Sequence, residues 1–335
     1  MALLFLRCAS ERRTGAIKVP EGCAFDDLVT LAATRASAMT LSKRILSPAL
    51  AANGIDPLPG FSTLGQWPRR SLKTLISLFA NADLKWGDKR QGSQMFDVFR
   101  ALSQDPERKQ LGHHYIPNEI TAAIASEIIK TRSADKALEL YDPFCSEGRL
   151  LSGLAAAWDQ PRRLRIFGHT RFADEKPYVT MNLLLKGCRN MRIEHADPIA
   201  SPFTSDRGSP VDLCGTPALR RFDVVASDLS GKIPPFKSDL ADDLWNRFGQ
   251  SACRGKCSGY WTAIEHIVAS LESGGCGACI LNHSVLHAGK VDSGFLAGLH
   301  KSGALEMTVE LPAFGQSEKP RYLLVLRSTS RKRGT

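Results

Sequence analysis

Leu138-Glu139-Leu140-Tyr141-Asp142-Pro143-Phe144-Cys145-Ser146-Glu147-Gly148-Arg149-Leu150-Leu151 is the stretch whose reading decides the fold. Its first part is apolar enough for a buried strand and stops at an acid. It then passes through a short turn into a helix. In open α/β sheets a nucleotide-like ligand lies in the crevice outside the carboxyl ends of the strands, where such an acid and turn stand. The helix beyond the turn adds unpaired N–H groups and the positive end of its dipole. Asp142, Pro143 and Gly148 are therefore candidate ligand-contacting residues.

Strand and helix patterns alternate downstream, which predicts a mostly parallel sheet with helices on both faces. A strand over 163–168 leads to a helix around 178–186. A third strand, 191–195, ends at Ala196-Asp197, and a fourth, 222–227, ends at Asp228. After a long polar loop, 260–272 reads as a helix with Ile264, Ile267, Val268 and Leu271 inward. Strands over 277–281, 305–311 and 322–326 complete the sheet, and a basic tail follows. Upstream, Ile120, Ile124 and Ile128 share one face of a helix that begins near Pro117 or Asn118. Residues 1–105 are patterned as helices, with 71–79 amphipathic, and a polar linker separates them from an α/β domain over 106–335.

The chain has 335 residues, enough for a large α/β domain and a further helical region. Its net charge of +10 favours a polyanionic partner, of which nucleic acid is the obvious one. No apolar run approaches the roughly 20 residues needed to span a bilayer. The amino terminus lacks the charge order of a signal peptide, and the nine cysteines are odd in number and scattered. The expected compartment is a reducing one, the cytoplasm. Cys253–Cys257 and Cys276–Cys279 have near-zinc spacing, but Cys279 falls in a predicted central strand, and no metal site is expected.

With these pieces in order, 111–327 resembles the modification subunits of type I restriction–modification systems, which are adenine-specific DNA methyltransferases. The family's opening Gly-Gln-Tyr-Tyr-Thr-Pro is matched by Gly112-His113-His114-Tyr115-Ile116-Pro117, and its Asp-Pro-Ala-Cys-Gly-Ser-Gly-Gly-Phe-Leu loop by Asp142–Leu151. Met181-Asn182-Leu183, Ala196-Asp197, Val309-Glu310-Leu311-Pro312 and Tyr322–Arg327 match further segments. The resemblance implies a class I, Rossmann-like methyltransferase fold and S-adenosylmethionine as cofactor. It implies DNA as substrate, and a specificity or other protein subunit as partner.

Carried over position by position, the resemblance assigns cofactor contacts to Tyr115, Pro117, Asp142, Pro143, Gly148 and Asp197. Thr170 stands where the family has a ribose-binding Glu. Asp228 takes the place of the Asn in the family's Asn-Pro-Pro-Phe turn, whose side chain accepts from the adenine amine. Ser230 and, by displacement, Phe236 are the candidate contacts to the base. The turn Asp228-Leu229-Ser230-Gly231 lacks both prolines and the aromatic, and Ser146, Glu147 and Arg149 add bulk and charge to the cofactor loop. Two readings therefore stand. One is a DNA adenine methyltransferase. The other is a catalytically inactive relative that keeps the fold as a DNA-binding or assembly module.

Overall fold

The computed structural model describes residues 1–11, 17–56, 68–83, 94, 95, 98, 118–130, 137–158, 163–205, 217–231, 233, 240–249, 259–286, 290–312 and 319–328. The amino-terminal region carries helices α1 (Ala2–Glu11), α2 (Phe25–Ala33), α3 (Ala38–Leu41), α4 (Ser47–Ala51) and α5 (Arg69–Asn81). Then come α6 (Asn118–Lys130), β1 (Leu138–Asp142), α7 (Arg149–Ala156), β2 (Leu164–Thr170), α8 (Glu175–Lys186) and β3 (Asn190–His195). The rest is β4 (Phe222–Asp228), α9 (Gly259–Ala269), β5 (Leu271–Asn282), α10 (His283–Leu286), α11 (Lys290–Lys301), β6 (Leu305–Leu311) and β7 (Arg321–Arg327).

The seven strands form one sheet in the order β3-β2-β1-β4-β5-β7-β6. The first five are parallel; β7 is antiparallel to both of its neighbours, β5 and β6. The chain runs outward from β1 to β3 and then returns to β4 on the other side of β1. The strand order therefore reverses between β1 and β4, where two crossovers leave in opposite directions and open a crevice.

The helical spacing of Ile120, Ile124 and Ile128 places Ile124 and Ile128 in the core with Ile120 at its margin. The helix expected over 260–272 is shorter: Ser270 ends it, and β5 already begins at Leu271, extended past the predicted 277–281. Ile264, Ile267, Val268 and Leu271 keep helical spacing across the boundary, so the apolar pattern does not mark that switch. The turn Ser273-Gly274-Gly275, with Gly274 at φ +72°, supplies the irregularity where β5 takes up its register with β4.

Both faces of the sheet are covered, as a parallel sheet requires. Leu138, Leu140, Val224 and Ala226 pack on one side with Leu151 and Leu154 of α7. Tyr141, Phe222 and Val225 face the other, against Trp261, Ile264 and Ile267 of α9 and Phe295 of α11. Each buried Val, Leu, Ile or Phe among them contributes roughly 1.5–3 kcal/mol by leaving water. Helix α1 lies on α8, where Leu4, Phe5 and Cys8 pack with Met181, Leu184 and Leu185. The amino-terminal helices thus share a core cluster with the α/β region.

The second face also buries a polar chain. The Tyr141 hydroxyl lies 2.9 Å from His169 Nδ1 and 3.1 Å from His266 Nε2. Arg247 Nη1 lies 3.1 Å from His266 Nδ1, and its Nη2 donates to Asp243 Oδ1 at 2.7 Å. Burial, and the Arg247 charge beside it, hold His266 well below the ordinary histidine range, so the ring is neutral. A cation taken out of water is tolerable only when paired and fully hydrogen-bonded, and Arg247 meets that condition. Replacing Arg247 by Ala strands the Asp243 carboxylate and should destabilise the protein by about 3–5 kcal/mol, read as a fall in the midpoint of urea unfolding.

Candidate functional site

The crevice is built from the carboxyl ends of β1, β2, β3 and β4. Asp142 closes β1 and is 1% exposed. Its Oδ1 accepts from the Phe144 amide at 3.0 Å and from the Ser227 hydroxyl. Ser227 belongs to β4, so this contact ties the ends of the two strands at the reversal point. Pro143 is buried in the turn. Burial pushes the Asp142 carboxyl up from 3.8 to about 7, and the nearby Asp228 charge adds to the rise; the bonds from Ser227 and Phe144 pull it back in part.

The loop that follows is tightly internal. The Gly148 amide donates to the Cys145 carbonyl at 2.6 Å, and Cys145 N donates to the His169 carbonyl of β2. Gly148 has φ +73°, and a Cβ there would stand 2.7 Å from Val179 Cγ1 of α8. Only glycine fits both the backbone conformation and the close approach of the helix. The Glu147 carboxylate stands 3.7 Å from Arg149 Nε, so the two charges that the loop adds compensate each other. The Ser146 hydroxyl donates to Glu175 Oε1 at 3.1 Å, and Phe172 N donates to Oε2 at 3.0 Å. The acid after β2 is thereby turned onto the loop.

Thr170, at the end of β2, is fully buried and donates to the Glu194 carbonyl at 3.4 Å. Its hydroxyl serves the β2–β3 contact. Asp197 follows β3 on an exposed turn, where its Oδ1 accepts from Ile199 N at 2.8 Å. That turn is gripped from below: Arg247 donates to the carbonyls of Pro198 at 3.3 Å and Ile199 at 2.6 Å.

Asp228 ends β4 half-buried, and its Oδ1 accepts from Ser230 N at 3.0 Å. Leu229 N donates to the Ile280 carbonyl at 2.9 Å, which keeps the turn in register with β5. Ser230 is 1% exposed, and its hydroxyl has no hydrogen-bond partner among the described residues. Asp142 and Asp228 at their strand ends, and Gly148, Asp197 and Ser230 on the connections that follow strands, thus all lie at one end of the sheet. Tyr115, Pro117 and Phe236, with Cys253 and Cys257, lie outside the described residues. Cys276 and Cys279 are buried on β5, and among the described residues no cluster of three potential metal ligands occurs.

Sequence reasoning missed Ser227, His169, His266 and Arg247. Ser227 had a usable signal, since it is a polar residue beside the acid that ends an otherwise mostly apolar strand. Arg247 had none, because it sits in a polar loop whose burial only the tertiary structure creates.

The donor set can be compared with what S-adenosylmethionine presents. The loop backbone behind Asp142 and the start of α7 suit its carboxylate, and Asp197 offers an acceptor for its adenine amine. The acid that would take the ribose hydroxyls is not at the end of β2. The residues therefore fit the group at its two ends and are one partner short between them.

A family model described as N-6 DNA Methylase matches residues 95–334. Its span is most of the chain and contains every strand of the sheet. The fold is that of the class I S-adenosylmethionine-dependent methyltransferases, and the chain belongs to the N-6 DNA methylase family. No curated protein matches the sequence. Among solved structures, the methyltransferase subunit of a type I restriction–modification system from Streptococcus thermophilus is similar at TM-score 0.70 and 18% identity, over 94% of this chain and 68% of that one. A chain from a type I restriction–modification complex aligns at TM-score 0.57 and 15% identity, over 97% and 68%. The type IIG restriction endonuclease BpuSI aligns at TM-score 0.58 and 15% identity, over 98% of this chain and 37% of that one. No described helix is long and apolar enough to cross a membrane.

The raised Asp142 pKa has a definite sign for stability. Between pH 4 and 7 the folded chain holds a proton that the unfolded chain has released, so this contribution is full at low pH and is lost as pH rises through about 7. An asparagine at this position would keep the acceptor and carry no charge. The stability of Asp142→Asn relative to the parent should rise from pH 4 to 7 and level off above it, and differencing the two chains cancels the histidine titrations. Parallel thermal melts across this range check it.

Proposed function

We propose that this chain binds S-adenosylmethionine in the crevice, contacting it through the loop 142–148 and Asp197, and methylates the exocyclic amine of an adenine in DNA. One observation carries the reading. Asp142 and Asp228 end the two adjacent parallel strands that flank the reversal of strand order, so an acceptor for a flipped base stands next to the cofactor loop. When bound, the sulfonium cofactor supplies an electrophilic methyl group. The chain's own part is to accept and orient. Asp228 accepts a hydrogen bond from the adenine amine, which directs the nitrogen lone pair at the methyl carbon. Asp228 would then take the proton that the amine gives up on methylation, since it already accepts that hydrogen bond.

Asp142 orders the loop through Phe144 and Ser227. The buried hydroxyl of Ser230 has no partner among the described residues, which costs about 1–3 kcal/mol where none is supplied, and a base edge would supply one. Tyr115, Pro117 and Phe236 complete the proposed contacts to cofactor and base. DNA is the proposed polyanionic partner of a chain with net charge +10. A separate specificity subunit is the proposed source of target choice.

Thr170 favours the second reading, a non-catalytic module. Its hydroxyl is buried and spent on Glu194, so the ribose lacks a charged acceptor at that position, a loss of roughly 1.5–3 kcal/mol. Calorimetric titration with S-adenosylmethionine separates the two. Binding tighter than millimolar is expected, together with methyl transfer to unmethylated DNA. Asp228→Ala should lower transfer by about 10²–10⁴-fold and leave cofactor affinity unchanged. Absence of binding at millimolar cofactor sinks the enzyme and leaves the module.

A further inference from the structure

The turn 228–231 is short of internal constraint. Leu229, Ser230 and Gly231 include no proline, and glycine is the least restricted residue of all. Its first half is held by the Leu229 amide on Ile280 and the Ser230 amide on Asp228. Its second half is held by side chains from two other elements. Asn282, the last residue of β5, donates from Nδ2 to the Ser230 carbonyl. Tyr260, in the first turn of α9, donates its hydroxyl to the Gly231 carbonyl at 3.0 Å.

Both donors stand on rigid supports. Asn282 pairs across the sheet with Arg321 of β7. The residue after Tyr260, Trp261, is fully buried and stacks on Phe295 with ring centroids 4.5 Å apart. Two consecutive carbonyls are therefore clamped to the body of the protein. The peptide planes on either side of the Ser230 Cα are each pinned, one by the Ser230 amide on Asp228 and the other by Asn282. A shift of the Ser230 carbonyl would move that amide and release the Asp228 carboxylate from its orientation.

We infer that Tyr260 and Asn282 are positioning residues for Asp228: they lock a turn whose own residues leave it loose, and so hold the carboxylate ready for the adenine amine. The inference rests on the methyltransferase reading for its consequence in rate, and on hydrogen bonds alone for its consequence in backbone order. Misplacing a reacting group by a fraction of an ångström lowers the rate with little effect on the binding of either substrate.

The test uses the full chain with Tyr260→Phe, which removes only the hydroxyl, and with Asn282→Ala. Steady-state transfer to unmethylated DNA is expected to show kcat lowered about tenfold in each, the loss that one hydrogen bond of ~1.4 kcal/mol represents. The KM for DNA and the affinity for S-adenosylmethionine should stay within about twofold. Amide hydrogen exchange, followed by mass spectrometry, should quicken over 228–231 and stay unchanged in β1 and β2. Unchanged exchange over the turn in both variants overturns the inference. So does exchange that quickens evenly across β4, β5 and α9, since that marks general destabilisation. Faster exchange confined to the turn with unaltered kcat overturns the positioning role. If the parent chain transfers no methyl group, the enzymatic reading fails by that result, and the exchange measurements still decide whether these two side chains hold the turn.

Discussion

The hydrogen bond from Ser227 to Asp142 is the contact on which the site depends. It joins the ends of β1 and β4, the two strands between which the direction of winding reverses. A carboxylate buried to this depth needs donors, and it finds them in the Ser227 hydroxyl and the Phe144 amide. The first of these joins the two strand ends; the second sets the start of the loop after β1. Burial raises the carboxyl to about 7, so the group that organises the crevice is itself close to the point of gaining or losing a proton.

Around this contact the loop accommodates substitutions that look disruptive in one dimension. Glu147 and Arg149 lie side by side. Ser146, at φ +45°, is held by Glu175. The same bond explains what becomes of the acid after β2: Glu175 is 1% exposed and supports the loop, while Thr170 seals the contact between β2 and β3. The loop is internally ordered, and the residue that ends β2 carries no charge.

The far face of the sheet carries a second support. Tyr141 directs its hydroxyl away from the crevice into a buried chain with His169, His266 and Arg247. Arg247 then reaches the carbonyls after Asp197. Two neighbours on β1, Tyr141 and Asp142, thus serve opposite sides because successive strand residues point to opposite faces. One carries the packing that steadies the turn after β3, and the other shapes the loop after β1.

The alternation of apolar strands and amphipathic helices, the strand-end acids Asp142, Asp197 and Asp228, and Gly148 in its turn were all legible in the chain. Each is a local property: residue period, turn chemistry, or the left-handed conformation that glycine accepts. Residues 305–311 read as a strand for the same reason, whereas the start of β5 did not, because Glu272-Ser273-Gly274-Gly275 has the composition of a turn. The sequence by itself determined the class of fold and the acids at its crevice. Only the tertiary structure decided that β7 inserts between β5 and β6, that Arg247 is buried against His266, that Glu175 turns onto Ser146, and that Tyr260 and Asn282 reach the turn after β4. Those four side-chain contacts join residues 19 to 52 positions apart, and no local pattern encodes a partner that only the packing of the sheet brings within hydrogen-bonding distance.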